Sequence, residues 1–218
     1  MRLLGITDLH GSRGALGRII DDAGPADAVL PGGDITHFGS PDDTEELIRM
    51  AQALGAAVLA VAGNCDSAEI DDRLVQLGVS LHGRGTILEG LGLHGLSAIP
   101  PWFPRMYQLT EEELAVALEA GYAQVTDAEH RCVLAHVPPY GLSLDRVLFG
   151  RHVGSKSLRT FVDRTEPALV VCGHIHESLG IERSGRTTLV NCGQASKGHY
   201  AVVDVKEDGE VACEPRRA

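Results

Sequence analysis

Aromatic side chains are scarce: only nine Trp, Tyr and Phe residues occur in 218. A core must therefore come from Val, Leu, Ile and Ala, and a chain of this length can bury a substantial one. No apolar run approaches the roughly 20 residues that a bilayer-spanning helix needs. Nothing at the start combines a basic lead, an apolar stretch and a cleavage site, since Met1-Arg2 runs straight into strand-like sequence. The five cysteines (Cys65, Cys132, Cys172, Cys192 and Cys213) are odd in number and show no paired spacing. That excludes a disulfide framework and leads us to expect a cytoplasmic protein with reduced thiols. Positive charge is short as well, with 19 Lys and Arg against 30 Asp and Glu, a formal net charge of -11. Long nucleic acid normally meets a basic stripe, so neither it nor a membrane is an expected partner. With no low-complexity segment, linker or repeat of fixed period, residues 1–218 are expected to form one domain.

What the chain does have is a set of chemically able residues placed after apolar runs. Arg2–Thr7, Ala26–Leu30, Ala56–Ala62, Arg131–Ala135 and Ala168–Cys172 read as buried strands. They lead respectively into Asp8-Leu9-His10, Gly33-Asp34, Gly63-Asn64-Cys65-Asp66, His136 and Gly173-His174-Ile175-His176. Five strands ending in carboxylate, amide or imidazole groups can assemble a metal centre at one edge of a sheet.

The pattern between these clusters indicates fold class. Leu16, Ile19 and Ile20 lie at helical spacing in Ala15–Ala23. Ser40-Pro41-Asp42-Asp43 reads as a capped helix start, with Gly55 as the stop. Thr110-Glu111-Glu112-Glu113 opens a further helix with a capping box. Alternating strands and helices imply right-handed crossovers and neighbouring parallel strands. From Val79 to Ala98, and again over Leu179–Arg183, Thr187–Asn191, Tyr200–Val205 and Glu210–Cys213, short strands separated by glycine-containing turns read as antiparallel. An α/β fold results: a β-sandwich of two mixed sheets flanked by helices, four layers in all.

In an extended strand residues i and i+2 share a face, so Asp8 and His10 can converge on one ion, as can His174 and His176. Carboxylate with neutral imidazole suits Mn²⁺, Fe²⁺, Zn²⁺ or Ni²⁺. Seven ligands over-supply one ion and suit two if a carboxylate bridges them. Such a pair generates a nucleophile and clamps an in-line displacement at phosphorus.

The pattern D-x-H, G-D, G-N-x-[DE], H and G-H-x-H, running from Asp8 to His176, resembles the calcineurin-like metallophosphoesterase superfamily. The resemblance implies a β-sandwich flanked by helices and two divalent transition-metal ions, Mn²⁺ foremost. It assigns Asp8, His10 and His176 to the first metal, Asn64, His136 and His174 to the second, and Asp34 to the bridge. It implies hydrolysis of a small phosphorylated substrate, organic or nucleotide-like, with diesters favoured. Asn64 and His136 would act on the phosphoryl group, while Asp66 supports the Asn64 loop. Within the superfamily the chain looks closest to small prokaryotic phosphoesterases, through Pro138-Pro139-Tyr140-Gly141, His152-Val153-Gly154-Ser155-Lys156 and Gly173–Glu177; Asn191-Cys192-Gly193 resembles their N-P-G turn. The alternative is a non-catalytic metal-binding scaffold on the same fold, against which the full ligand set argues.

One departure concerns catalysis. Many members of that superfamily carry His, thought to protonate the leaving group, where this chain has Cys65. His152 and, behind it, His37 are the candidate replacements, whereas His82, His94, His130 and His199 read as structural. Arg146–Arg164 holds five basic residues against Asp163 alone. Lys156, Arg159 or His152 is thereby a candidate phosphate grip, with free N–H groups of a helix opened by Gly154-Ser155 beside them; a solvated helix face is the plain alternative. Trp102, Phe103 and Tyr107 crowd among Pro100, Pro101 and Pro104. They read as a lid over a base-like group, a surface for homo-oligomer formation, or a loop stapling the second sheet.

Overall fold

The computed structural model describes residues 1–218. One sheet has the order β11 (Val211–Arg217), β10 (His199–Val205), β1 (Arg2–Ile6), β2 (Ala28–Pro31), β3 (Ala57–Val58). Within it β1, β2 and β3 are parallel, while β10 runs antiparallel to both β1 and β11. The other sheet has the order β4 (Gly85–Leu88), β5 (Leu91–Leu96), β6 (His130–Ala135), β7 (Leu169–Cys172), β9 (Thr187–Asn191), β8 (Gly180–Ser184). Its four central strands are parallel and its two edges antiparallel.

Period-2 alternation builds four layers from these sheets. Leu3 on β1, Leu134 on β6, Val171 on β7 and Val203 on β10 join one buried cluster between the sheets. Their neighbours Leu4, Ile6, Tyr200 and Val202 face the other way, onto α1 (Arg13–Ala23), α2 (Pro41–Gln52) and α3 (Ala68–Gln76). Val133, Val170 and Leu189 likewise pack under α4 (Glu111–Tyr122) and α5 (Lys156–Thr165). Strands covered on both faces read as continuous apolar runs, which is how the sequence displays them. No helix is long and apolar enough to cross a membrane.

Local chemistry explains the helix starts. Ser40 and Thr110 both form capping boxes, with Asp43 and Glu113 reaching back to the cap N–H. Two expectations need correction and one element is new. The Ala56–Ala62 run pairs as a ladder only at Ala57 and Val58, because beyond it the chain makes single bridges, Ala60 to Ser80 and Val61 to Gly32. The tail is not simply antiparallel: β9 pairs parallel with β7, and β10 crosses to the first sheet. Helix α3 is an addition to the expected elements, although Ser67 caps it and Ile70 and Leu74 are spaced for burial.

Glycine also sets the distance between sheets. A Cβ at Gly5 would lie 2.8 Å from Cys192 Sγ and 3.1 Å from Val171. Gly5→Ala overpacks this layer and should cost about 1–3 kcal/mol, read as a lower urea midpoint with unchanged slope. Wild-type stability in that variant would mean the sheets can separate freely.

Candidate metal centre

The chain leaving β1, β2, β3, β6 and β7 converges at one edge of the sandwich, where open α/β sheets expose functional groups. The ligand candidates sit just beyond the strands. Asp8, His10, Asp34 and His174 all have positive φ (58°, 49°, 47° and 65°). Convergence therefore comes from left-handed turns, which corrects the strand-pleat argument for Asp8 and His10 and for His174 and His176. Such backbone costs about 1–3 kcal/mol per residue and persists where surroundings over-determine it. Here the turns interlock: Asp8 N donates to Gly33 O at 3.0 Å and His10 N to Asp34 O at 2.8 Å.

Three glycines permit the approach. A Cβ at Gly33 would stand 2.4 Å from His136 Nδ1, at Gly63 2.1 Å from Asp34 N, and at Gly173 2.3 Å from Asp8 Oδ2. The glycine before each ligand is thus a steric requirement of the site.

Six of the seven expected ligands meet through side-chain atoms, and the seventh, His174, stands with its ring 5.1 Å from that of His136. Asp8 Oδ1 lies 3.0 Å from His176 Nε2, and Asp8 Oδ2 accepts from His174 N at 3.0 Å. Asp34 spans the centre, with Oδ2 3.9 Å from His10 Nε2 and Oδ1 3.4 Å from His136 Nε2. Asn64 Oδ1 is 2.9 Å from His136 Nε2. Three three-residue groups have ligand atoms within 4.8 Å of one another: Asp8, His10, His176; Asp8, Asp34, His136; and, at the rim, His10, His37, Cys65.

These residues fit divalent cations on their own terms. When His136 Nδ1–H donates to Gly32 O at 3.0 Å, Nε2 is left as a lone pair facing Asn64 Oδ1 and Asp34 Oδ1. In the neutral ring acceptor then faces acceptor, and positive charge at Nε2, a proton or a metal cation, resolves the conflict. Buried His174 Nε2 and His10 Nδ1 have no hydrogen-bond partner. Burial pushes His174 down to about 3, with His136 nearby adding to the effect, and burial also lowers His10. Both are thereby neutral imidazoles, the form that ligates metal. At His136 burial acts downward but Asp34 and Asp8 outweigh it, so its pKa is raised. Burial raises that of Asp34.

Asp66 touches no ligand side chain. Its carboxylate accepts from Ile35 N (3.0 Å), Thr36 N (2.9 Å), Thr36 Oγ1 (2.8 Å) and Gly63 N (2.8 Å), tying the Asp34 turn to the Asn64 turn. Burial, then Asp34, lifts its pKa to about 6. A support unseen in the sequence is Asp71 on α3, which accepts from Tyr107 Oη and Ser97 Oγ, each at 3.0 Å. Tyr107 N in turn donates to Asn64 O at 3.0 Å. The aromatic segment thus braces the Asn64 loop. It also reaches the site mouth, where Trp102 (39% exposed) meets the His174 ring edge-on at 5.7 Å.

A cavity of about 100 Å³ opens beside His174, with Trp102, Arg151 and His152 in its walls. His152 is therefore near the centre, and Lys156 and Arg159 do not line this cavity. The anion grip expected at the start of α5 is corrected: the Glu111 carboxylate already accepts from Lys156 N (2.8 Å) and Ser157 N (2.9 Å). Arg159 is paired with Asp163 at 2.8 Å, and Lys156 Nζ lies 5.5 Å from the centre of the Tyr140 ring. His37 is exposed, its ring 5.3 Å from that of His10. His94, expected to be structural, is buried between Tyr122 and Phe161. A larger cavity, about 560 Å³ around Met1, Glu89 and His130, is lined by none of the ligand candidates.

A four-layer α/β sandwich with imidazoles and carboxylates gathered at one sheet edge defines a class of metal-binding hydrolases. The family described as calcineurin-like phosphoesterase matches residues 1–178, and the chain belongs to it. An uncharacterized protein of Methanocaldococcus jannaschii, MJ1162, is 34% identical over 216 residues, covering 95% of this chain and 94% of the relative. Among solved structures, TT1561 of Thermus thermophilus is similar at a TM-score of 0.76 and 18% identity, over 98% of this chain and 97% of the other. A dimetal phosphatase from Danio rerio is similar at 0.68 and 11%, over 100% and 96%. These likenesses concern the fold, and family membership makes the chain a metal-dependent phosphoesterase.

Asp66→Asn places an amide N–H₂ against backbone N–H donors. We expect a loss of about 1–3 kcal/mol in stability and a roughly 10–100-fold drop in metal affinity, measured by thermal melting and metal titration. Unaltered metal affinity would limit Asp66 to holding the fold.

Proposed function

We propose that the chain is a dinuclear phosphodiesterase acting on small organic or nucleotide-like phosphates. The observation that carries this reading is Asp34, whose two oxygens turn to His10 on one side and to His136 on the other. In it, Asp8, His10 and His176 hold one ion, Asn64, His136 and His174 hold the second, and Asp34 bridges. Two divalent cations, Mn²⁺ first among Fe²⁺, Zn²⁺ and Ni²⁺, supply a nucleophile at neutral pH and neutralise phosphoryl charge when bound.

The protein's own groups do the rest. Gly32 O fixes the His136 ring with its Nε2 free to ligate, while the Asp66 clamp and Tyr107 hold the Asn64 loop, so the Asn64 amide is a fixed dipole for the phosphoryl oxygens. Beside the ligands the wall is apolar Ile99, Pro100, Pro101 and Trp102, with Arg151 contributing one full positive charge. A singly charged diester with organic substituents suits that wall better than a doubly charged monoester.

Protein stripped of metal and reloaded separately with Mn²⁺, Ni²⁺, Zn²⁺ or Mg²⁺ should cleave bis-p-nitrophenyl phosphate faster than p-nitrophenyl phosphate. Asp34→Ala should lose turnover together with bound metal, counted by elemental analysis. Two ions retained per chain in Asp34→Ala would refute the bridge, and preference for the monoester would refute the diesterase reading.

A further inference from the structure

Phosphoester cleavage leaves an alkoxide or aryloxide, and a positioned acid that protonates it contributes about 10²–10⁴-fold. His10, His136, His174 and His176 are committed as ligands in the proposed centre. The Cys65 thiol is buried and turned inward, accepting from Asn64 Nδ2 at 3.3 Å, and it does not line the cavity beside His174. Two further imidazoles are close by. His37 makes no hydrogen bond that would orient its ring, and it stands on an exposed loop.

His152 is held differently. Its Nδ1 lies 2.6 Å from Oδ1 of Asp145, a carboxylate with no solvent exposure. Asp145 also accepts from Gly141 N, Leu142 N and Gly154 N, each at 3.0 Å, so backbone from both ends of the loop fixes it. Its remaining bond orients one imidazole. With Nδ1 engaged, Nε2 is the atom left free, and the ring lines the same cavity as Trp102, Arg151 and His174. A buried carboxylate that orients an imidazole beside a reaction centre is the arrangement proton transfer requires.

We infer that His152, oriented by Asp145, protonates the departing oxygen, and that the leaving group lies in the cavity between His152, Trp102 and His174. The inference rests on the phosphoester reading above. As the bond from phosphorus to the leaving oxygen breaks, its electron pair goes to that oxygen, which takes the Nε2 proton and departs as an alcohol or phenol. The attacking water loses one proton to solvent, and the neutral imidazole regains one, so the net reaction consumes one water. Cavity walls of proline, isoleucine and tryptophan select a leaving group with a planar or apolar body.

His152→Asn keeps an N–H toward Asp145 and removes the Nε2 proton. It should lose about 10²–10⁴-fold in kcat/KM on diphenyl phosphate, whose leaving group is poor, and only a few-fold on bis-p-nitrophenyl phosphate, whose leaving group is good. Melting temperature and metal content should match wild type. His152→Ala should regain diphenyl phosphate cleavage with added imidazole. Asp145→Asn, acting through the ring, should show the same selectivity, and an equal loss on both diesters would reduce Asp145 to a loop anchor. Equal losses on both diesters in His152→Asn, or none on either, would overturn the proposal. So would a selective loss in His37→Asn with His152→Asn unaffected. A wild-type protein that cleaves neither diester with metal bound would instead sink the phosphodiesterase reading itself.

Discussion

Asp8 and Asp34 are buried to 0% and 3% exposure, and the charged side chains that reach them are imidazoles. A carboxylate taken out of water without a full counter-charge costs several kcal/mol. Part of that is offset locally, by Cys65 N on Asp34 at 2.7 Å and His174 N on Asp8 at 3.0 Å. The remainder is a standing demand for positive charge at one place. Interlocked left-handed turns, glycines without room for a Cβ and the Asp66 clamp keep these groups from relaxing apart. The sandwich is the frame against which that demand is held, and divalent cations are what meet it.

Much of this was legible in the chain because the site is built from sequence-local units. Each ligand cluster follows a strand whose two buried faces write an unbroken apolar run, so Asp8, Asp34, His136 and His174 could be placed at strand ends. The conformations there were not legible. The alternation rule predicts convergence of Asp8 and His10 through the pleat, yet strand β1 stops at Ile6 and both residues lie in turns with positive φ. Asp and His tolerate that region better than most residues, and Gly11 and Gly33 beside them carried the hint.

Where the sequence misled, the cause was a partner far along the chain. Charge counting over Arg146–Arg164 finds a basic island, but Glu111 lies 45 residues before Lys156 and its carboxylate occupies the very N–H groups an anion would use. The bond from Asp71 to Tyr107 joins residues 36 apart. It turns an apparent lid into a brace as well, since the same segment holds Asn64 at one end and presents Trp102 at the other. Neither link has a local signature. The Ser40 cap and the Thr110 capping box, by contrast, are complete within four residues and were readable outright.

A division of labour follows from how the two parts are held. The ligand floor is fixed by buried backbone bonds between turns and by glycine contacts that admit no side chain. The wall is made of two segments that leave the sheets, around Trp102 and around His152, and each is tied to the core at a few polar points. Arg151 and Pro101 belong to the wall alone, whereas Trp102 also meets the His174 ring. Asp145 and Asp71 lie at the junction: each is buried or nearly so, each belongs to no ligand group, and each fixes one wall segment relative to the floor. Where the wall stands over the ligands therefore depends on those two carboxylates, through the bonds from Asp145 to the loop ends and from Asp71 to Tyr107.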